Sequence, residues 1–101
     1  NTMNVEYFIS QNLNKVKQLI ENLPNRRFNS HELIRYFAKE FEVQYVDFLN
    51  NYDKEPFRKV HAQIAASLSK HADYLEIGKR GKLHSKNIFG VDSENEGWIR
   101  K

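Results

Sequence analysis

The chain has 101 residues and no cysteine, with a formal net charge of +3 at pH 7 and a sequence pI of about 9.2. This length fits one small domain, which we expect to span residues 1–101. Without cysteine there is no disulfide, thiolate nucleophile or cysteine-based zinc site. Hydrophobic residues make up 40% and charged residues 29%, as in a soluble globular protein, and no apolar run approaches the roughly 20 residues of a membrane span.

The positive charge is concentrated in one part of the chain. Residues 1–55 and residues 87–101 each have a charge balance of −1, whereas residues 56–86 carry seven Lys and Arg against two Asp and Glu, a balance of +5. A local excess of this kind favours a polyanionic partner. The start of the chain has no basic and apolar leader segment, so we expect a cytoplasmic location and no membrane partner.

The first predicted element is an amphipathic helix over residues 4–23, ended by Pro24. Its apolar residues recur at three- and four-residue spacing, with polar residues on the other face. We expect this helix either to pack across the rest of the chain or to dock on a protein partner or a second copy. Its apolar positions are Val5, Phe8, Ile9, Leu13, Val16, Leu19, Ile20 and Leu23.

Two further helices are predicted before residue 53. Asn29 as N-cap, with Glu32 three residues later, forms a capping box that predicts a helix over residues 30–41. The apolar pattern then shifts, which favours a short helix over residues 44–52 or a continuation of the preceding one. The aromatic residues here fall at helical spacing, which favours a place in the core over a base-stacking surface.

Pro56 is typical of the first turn of a helix, which we predict over residues 56–71. Val60, Ile64 and Leu68 share one side of it and should be buried. The opposite side carries small alanines between polar residues, so it is either a surface that can approach a nucleic-acid groove or a solvated helix face. The residues assigned to groove contact are Lys59, Gln63, Ala66 and Lys70. Arg58 of the same helix lies off the groove-facing side and is a further candidate for contact with nucleic acid.

Residues 74–89 predict a β-hairpin. A strand over 74–77 leads into a turn at 78–82, where two glycines allow positive φ, and residues 83–89 return as the partner strand. Residues 91–101 predict a loop whose Trp98 folds back onto the core. The hairpin cations assigned to phosphate contact are Lys79, Arg80 and Lys82 at the turn and Lys86 on the returning strand.

No catalytic motif is present. The four histidines are separated in sequence and match no metal-ligand spacing, and no phosphate-binding glycine motif or nucleophile motif occurs. We therefore expect no enzyme activity, no cofactor, no metal site and no small-molecule substrate. The histidines are His31, His61, His71 and His84.

The order of these elements resembles that of a winged helix-turn-helix domain over residues 28–90, preceded by the extra helix 4–23 and followed by the tail 91–101. The predicted fold class is mainly α with a small β-hairpin (α+β). The resemblance implies that helix 56–71 enters the major groove of double-stranded DNA and that the wing at 78–82 contacts the backbone or minor groove. It is compatible with a regulatory or accessory role in transcription.

Two alternatives remain open. The groove-facing side of helix 56–71 has no arginine for bidentate contact with guanine, which weakens specific readout more than non-specific binding. The same fold could instead act as a protein-interaction or dimerisation module, through helix 4–23 or helix 56–71. RNA or single-strand binding would need aromatic side chains displayed on a strand, for which Tyr74 and Phe89 are the candidates.

Overall fold

A computed structural model describes residues 4–101, in which six helices pack with a three-stranded antiparallel sheet. The predicted α+β class with a small hairpin is confirmed. The strands lie in the order β1-β3-β2, so β2 is an edge strand. The elements are α1 (Val5–Gln11), α2 (Leu13–Glu21), β1 (Arg27–Asn29), α3 (Ser30–Glu40), α4 (Glu42–Asn50), α5 (Pro56–Lys70), α6 (Ala72–Leu75), β2 (Ile77–Lys86) and β3 (Asp92–Arg100).

The leading segment forms two helices, α1 and α2, rather than the single helix predicted over 4–23. Asn4 caps α1 by accepting the backbone N–H of Tyr7 at 2.7 Å. Asn12 separates the helices, with φ −128° and a side-chain amide that donates to the carbonyl of Phe8 at 2.8 Å. An asparagine side chain competes in this way with the helical backbone pattern, which explains the break.

The next three helices follow the prediction closely. Asn29 caps α3 by accepting the backbone N–H of Glu32 at 2.8 Å, and α5 begins at Pro56 as expected. The alternative left open for residues 44–52 is resolved, because α4 is a separate helix that begins at Glu42. Phe41 between α3 and α4 has non-helical dihedrals (φ −113°, ψ 49°), which redirects the chain there.

The hairpin lies further along the chain than predicted. Residues 74 and 75 belong to the short helix α6, which ends at Glu76 with φ 57°. β2 then runs straight through residues 78–82, so the predicted turn there is wrong, as is the returning strand over 83–89. Gly81 does take a positive φ of 99°, but at an irregularity in the pairing of β2 with β3, where it forms a bulge within the strand.

The chain reverses at residues 87–91 instead. The side-chain oxygen of Asn87 accepts the backbone N–H groups of Phe89 at 2.9 Å and Val91 at 3.1 Å, and Gly90 has φ 79°. An asparagine that binds the backbone two residues ahead stabilises a tight turn, and glycine tolerates its left-handed position. This combination places the turn closer to the C-terminus than predicted.

The tail predicted as a loop forms the central strand β3. It pairs with β1 on one side and β2 on the other, and Trp98 lies opposite Phe28 of β1. Trp98 is 1% exposed, and its indole N–H donates to the hydroxyl of Ser30 at 2.9 Å. The prediction that Trp98 folds back onto the core is confirmed. The predicted loop over 91–101 is wrong, since the backbone pairing of β3 with β1 and β2 holds Trp98 in that place.

The core lies between the helices and one face of the sheet. Val60, Ile64 and Leu68 are completely buried, which confirms the predicted inner face of α5. The apolar face of the leading segment is also buried within this chain and contributes Val16 and Ile20 to the same core. In the described part of the chain no helix is both long and apolar enough to cross a membrane.

Candidate functional site

The cations assigned to the wing lie along an edge strand rather than at a turn. Lys79, Arg80 and Lys82, called here the β2 cations, are exposed, and none forms an ion pair with another residue of 4–101. Lys86 is exposed at the far end of β2, opposite Asp92 of β3. At a strand rise of about 3.3 Å per residue, Lys79 and Lys86 are roughly 23 Å apart along β2, a distance that spans several backbone phosphates.

The cations assigned to α5 are held by other parts of the chain. The Arg58 guanidinium binds the Glu55 carboxylate with Nε 3.0 Å from Oε1, and Lys70 is ion-paired with Glu6 of α1. The ammonium group of Lys59 lies 5.4 Å from the centre of the Tyr52 ring. These three side chains would have to give up an existing interaction in order to bind a phosphate.

The two uncharged α5 residues of the predicted set differ from each other. The Gln63 side-chain amide donates to the Tyr52 hydroxyl, so it is not free to read a base edge. Ala66 is exposed, as is Ala62 one turn earlier. The sequence offered no signal for the contacts made by Tyr52 and Glu6, because both residues are distant from their partners along the chain.

A cleft of about 710 Å³ lies between α5, the start of α3 and the β2–β3 hairpin. Of the nine predicted contact residues, it brings together Arg58 and Lys82. The rings of Phe57 and Phe89 meet edge to face at its mouth, with centroids 4.8 Å apart, and remain 39% and 56% exposed. This cleft was not predicted, since its walls come from segments that are distant in sequence.

The cleft contains more carboxylates than cations. Glu55 is bound to Arg58, and an oxygen of Glu96 accepts the backbone N–H of Gly81 at 3.0 Å. Glu94 also lines the cleft, and its side chain makes no ion pair or side-chain hydrogen bond with the rest of 4–101. With Lys82 as the other cation, the lining has a formal charge of −1.

His61 contributes a neutral ring to the cleft wall. Its Nε2 is 2.6 Å from the hydroxyl of Tyr45, and the two rings stack with centroids 5.8 Å apart. Burial lowers the pKa of His61 to about 4 and raises the pKa of Tyr45 to about 12. At neutral pH the pair is therefore an uncharged, hydrogen-bonded unit that links α4 to α5.

A second histidine links the start of α3 to the hairpin. In His31, Nδ1 is 2.8 Å from the hydroxyl of Ser85 and Nε2 is 3.3 Å from that of Ser93. The Asn95 amide donates to Ser85 at 2.9 Å and its oxygen accepts the backbone N–H of His31 at 3.0 Å. Burial lowers the pKa of His31. The polar groups satisfy one another, so the network orients the hairpin against α3.

Among residues 4–101, no cluster of three or more His, Asp or Glu side chains has a geometry suited to a metal ion. Comparisons of the chain with protein-family models, curated proteins and solved structures gave no match. The functional interpretation therefore depends on the geometry of the β2 cations, α5 and the cleft.

Proposed function

We propose that this chain binds double-stranded DNA, mostly through phosphates, as a winged-helix-like domain. The observation that carries the proposal is the set of β2 cations, which lie on an exposed edge strand without ion-pair partners in residues 4–101. Exposed cations with no intramolecular partner can neutralise phosphates and release counterions without first breaking a contact. Lys86 is a further exposed cation at the end of the same strand, next to the turn.

α5 has a supporting role in this proposal. Ala62 and Ala66 are exposed and small, so a nucleic-acid backbone or groove edge can approach the helix closely. The side chains that could read base edges are engaged inside the chain, as in the contact of Gln63 with Tyr52. We therefore propose weak sequence preference, in keeping with an accessory or regulatory module acting in the cytoplasm, without an enzyme activity of its own.

A protein-interaction module is the second candidate. Val43 and Val46 lie one turn apart on α4 and are 71% and 47% exposed, which places two apolar side chains together on the surface. Exposed apolar pairs of this kind favour a protein contact. The surface is small, so this candidate ranks below DNA binding.

The test is fluorescence anisotropy of a labelled, mixed-sequence 16-base-pair duplex, titrated with the protein over a range of salt concentrations. Wild type should bind with a steep salt dependence. The variant Lys79→Ala/Arg80→Ala/Lys82→Ala should bind more weakly, with a log–log salt slope reduced by about 0.9 for each phosphate that it no longer neutralises.

A charge-matched control separates a local contact from a general charge effect. Lys15→Ala/Lys39→Ala/Lys54→Ala removes the same three charges from exposed positions outside the hairpin, and it should bind almost as wild type does. Equal losses of affinity in both triple variants would contradict the assignment to β2. Absence of duplex binding by wild type at low salt would overturn the proposal and leave protein interaction as the better candidate.

A further inference from the structure

Phosphate binding on β2 leaves the cleft between α5 and the hairpin unexplained. Its carboxylates, Glu55, Glu94 and Glu96, outnumber its cations, Arg58 and Lys82, so a phosphate group would meet repulsion inside it. Its volume of about 710 Å³ exceeds that of a single planar ring system. The lining of the cleft therefore disfavours the phosphates of a nucleic acid, and the cleft is large enough to hold one uncharged base.

The walls of the cleft supply the flat surfaces that such a ligand needs. Phe57 and Phe89 hold exposed rings at its mouth, and the neutral ring of His61 follows, with its centroid 5.9 Å from that of Phe57. Aromatic side chains that remain in contact with water are sites on which a nucleobase can stack. Phe89 lies on the hairpin turn, whereas Phe57 and His61 belong to α5, so a base entering here would contact both elements.

The polar lining favours a ligand that donates hydrogen bonds. Glu55 is occupied by Arg58, and Glu96 accepts the N–H of Gly81, which leaves Glu94 as the carboxylate of the cleft without such a partner in residues 4–101. A carboxylate accepts hydrogen bonds and repels carbonyl oxygens. Carboxylate side chains accordingly select the exocyclic amine of cytosine over the carbonyl that thymine presents at the equivalent position.

We propose that the cleft receives one unpaired base that bears an exocyclic amine, in particular cytosine, from a nucleic acid whose phosphates lie on β2. Lys82 joins the two surfaces, because it belongs to the β2 cations and also lines the cleft. The inference rests on the proposed DNA binding and adds to it a structural preference, for duplexes that contain an unpaired nucleotide.

The experiment compares three labelled 16-base-pair duplexes in the anisotropy assay: one fully paired, one with a single bulged deoxycytidine and one with a single bulged thymidine. Wild type should bind the deoxycytidine bulge about 10-fold more tightly than the paired duplex. This corresponds to about 1.4 kcal/mol, which the stacking of one base on an aromatic side chain can supply. The increase in affinity for thymidine should be smaller. Phe89→Ala should remove both increases while keeping affinity for the paired duplex.

Two further variants make the result specific. Glu94→Gln should reduce the preference for deoxycytidine over thymidine, because an amide can donate as well as accept. Val91→Ala is the matched control: Val91 is 58% exposed near the same turn but does not line the cleft, and this variant should behave as wild type.

The outcomes separate the cleft from the phosphate surface. Salt-dependent binding of all three duplexes with equal affinity would overturn the cleft inference and leave DNA binding by β2 intact. No binding of any duplex would overturn both. Binding of a lysine-rich peptide that is abolished in Phe89→Ala, together with no higher affinity for bulged duplexes, would identify the cleft as a site for basic protein segments and would also overturn the inference.

Discussion

Helix α5 and strand β2 carry similar numbers of positive charges but present them differently. On α5, Arg58 is bound to Glu55, Lys70 to Glu6, and Lys59 lies over the Tyr52 ring. On β2, Lys79, Arg80 and Lys82 have no ion-pair partner in residues 4–101. The two elements thus have similar formal charges, but most of the cations that are free to bind a polyanion lie on β2.

The difference follows from the position of each element in the fold. α5 packs against α1 and α4. Glu6 of α1 and Tyr52, which follows α4, place a carboxylate and an aromatic ring beside its polar side. Within the described residues 4–101, β2 is at the edge of the sheet, with β3 on one side and no strand on the other. Lysines on an edge strand also oppose its pairing with the sheet of another molecule. The same side chains can therefore prevent aggregation and carry the proposed binding.

Triple variants of the two elements should differ most clearly in the duplex-binding assay. Neutralising the β2 cations should lower the log–log salt slope by up to about 2.7, which corresponds to about 0.9 for each of three phosphates. Arg58→Gln/Lys59→Gln/Lys70→Gln should lower it by less than about 1, because these cations already have partners. The slope is measured from anisotropy titrations between about 50 and about 200 mM salt.

Equal reductions of the slope in the two triple variants would show that the intramolecular partners of α5 are displaced on binding. Glu6→Gln examines that possibility directly, since it removes the carboxylate that holds Lys70. No change of slope in Glu6→Gln would support the division between the two elements. A steeper slope would show that Lys70 binds a phosphate once it is released.

The sequence predicted the helices better than the hairpin, for a physical reason. The capping residue Asn29 and the first-turn Pro56 act locally, so their effect can be read from neighbouring residues. The position of the hairpin turn depends instead on a competition between residues 78–82 and residues 87–91. The turn forms at residues 87–91 because the Asn87 side chain binds the backbone there. A turn at this position also allows Trp98 to be buried in the core.

The candidate site was only partly predictable. The β2 cations were identified from local charge, although their place was assigned to a turn. The cleft depends on contacts such as those of His31 with Ser85 and Phe57 with Phe89, which join segments far apart in the sequence. Neither periodicity nor spacing within one sequence reports such pairs, and the partners that occupy the α5 cations were hidden for the same reason.

A second prediction concerns the glycines that shape β2. A Cβ atom at Gly97 would lie 2.6 Å from a methyl carbon of Leu83 and 3.2 Å from the carbonyl oxygen of Gly81. The Leu83 side chain would have to move, and the backbone of the bulge would have to shift by a few tenths of an ångström. We expect Gly97→Ala to lower the free energy of unfolding by about 1–3 kcal/mol, the usual range for overpacking. Urea unfolding followed by circular dichroism measures the change.

Gly78→Ala is the matched control for that substitution. Its Cβ would meet ordinary contacts at 3.5 Å and 3.7 Å, and Gly78 does not have a positive φ. The variant should be as stable as wild type or about 0.5 kcal/mol more stable, because alanine restricts the unfolded chain. Equal destabilisation of the two variants would show that the close packing around Gly97 does not determine the position of β2 in the sheet.

The smallest effect that we expect is a dependence of the free energy of unfolding on pH, which comes from a histidine of α5. His61 of α5 is bonded to Tyr45, and its pKa is lowered to about 4 by burial and, to a lesser extent, by the charge of His31. In the unfolded chain this pKa is about 6.5. The unfolded chain therefore binds the proton more readily, so stability is fully present above about pH 6.5 and falls as the pH decreases toward about 4.

Between about pH 7 and about pH 5 we expect His61 to lower the free energy of unfolding by about 1 kcal/mol, after allowance for the solvent contact of its partly exposed ring. This window lies above the range in which carboxylates titrate, so acid effects at Glu6, Glu55 and Glu76 contribute little. Urea unfolding at the two pH values measures the decrease, and His61→Gln should reduce it. The same pH dependence in His61→Gln would contradict the assignment to His61. His31, whose pKa is also lowered by burial and which bonds to the hairpin, would then be the next residue to substitute.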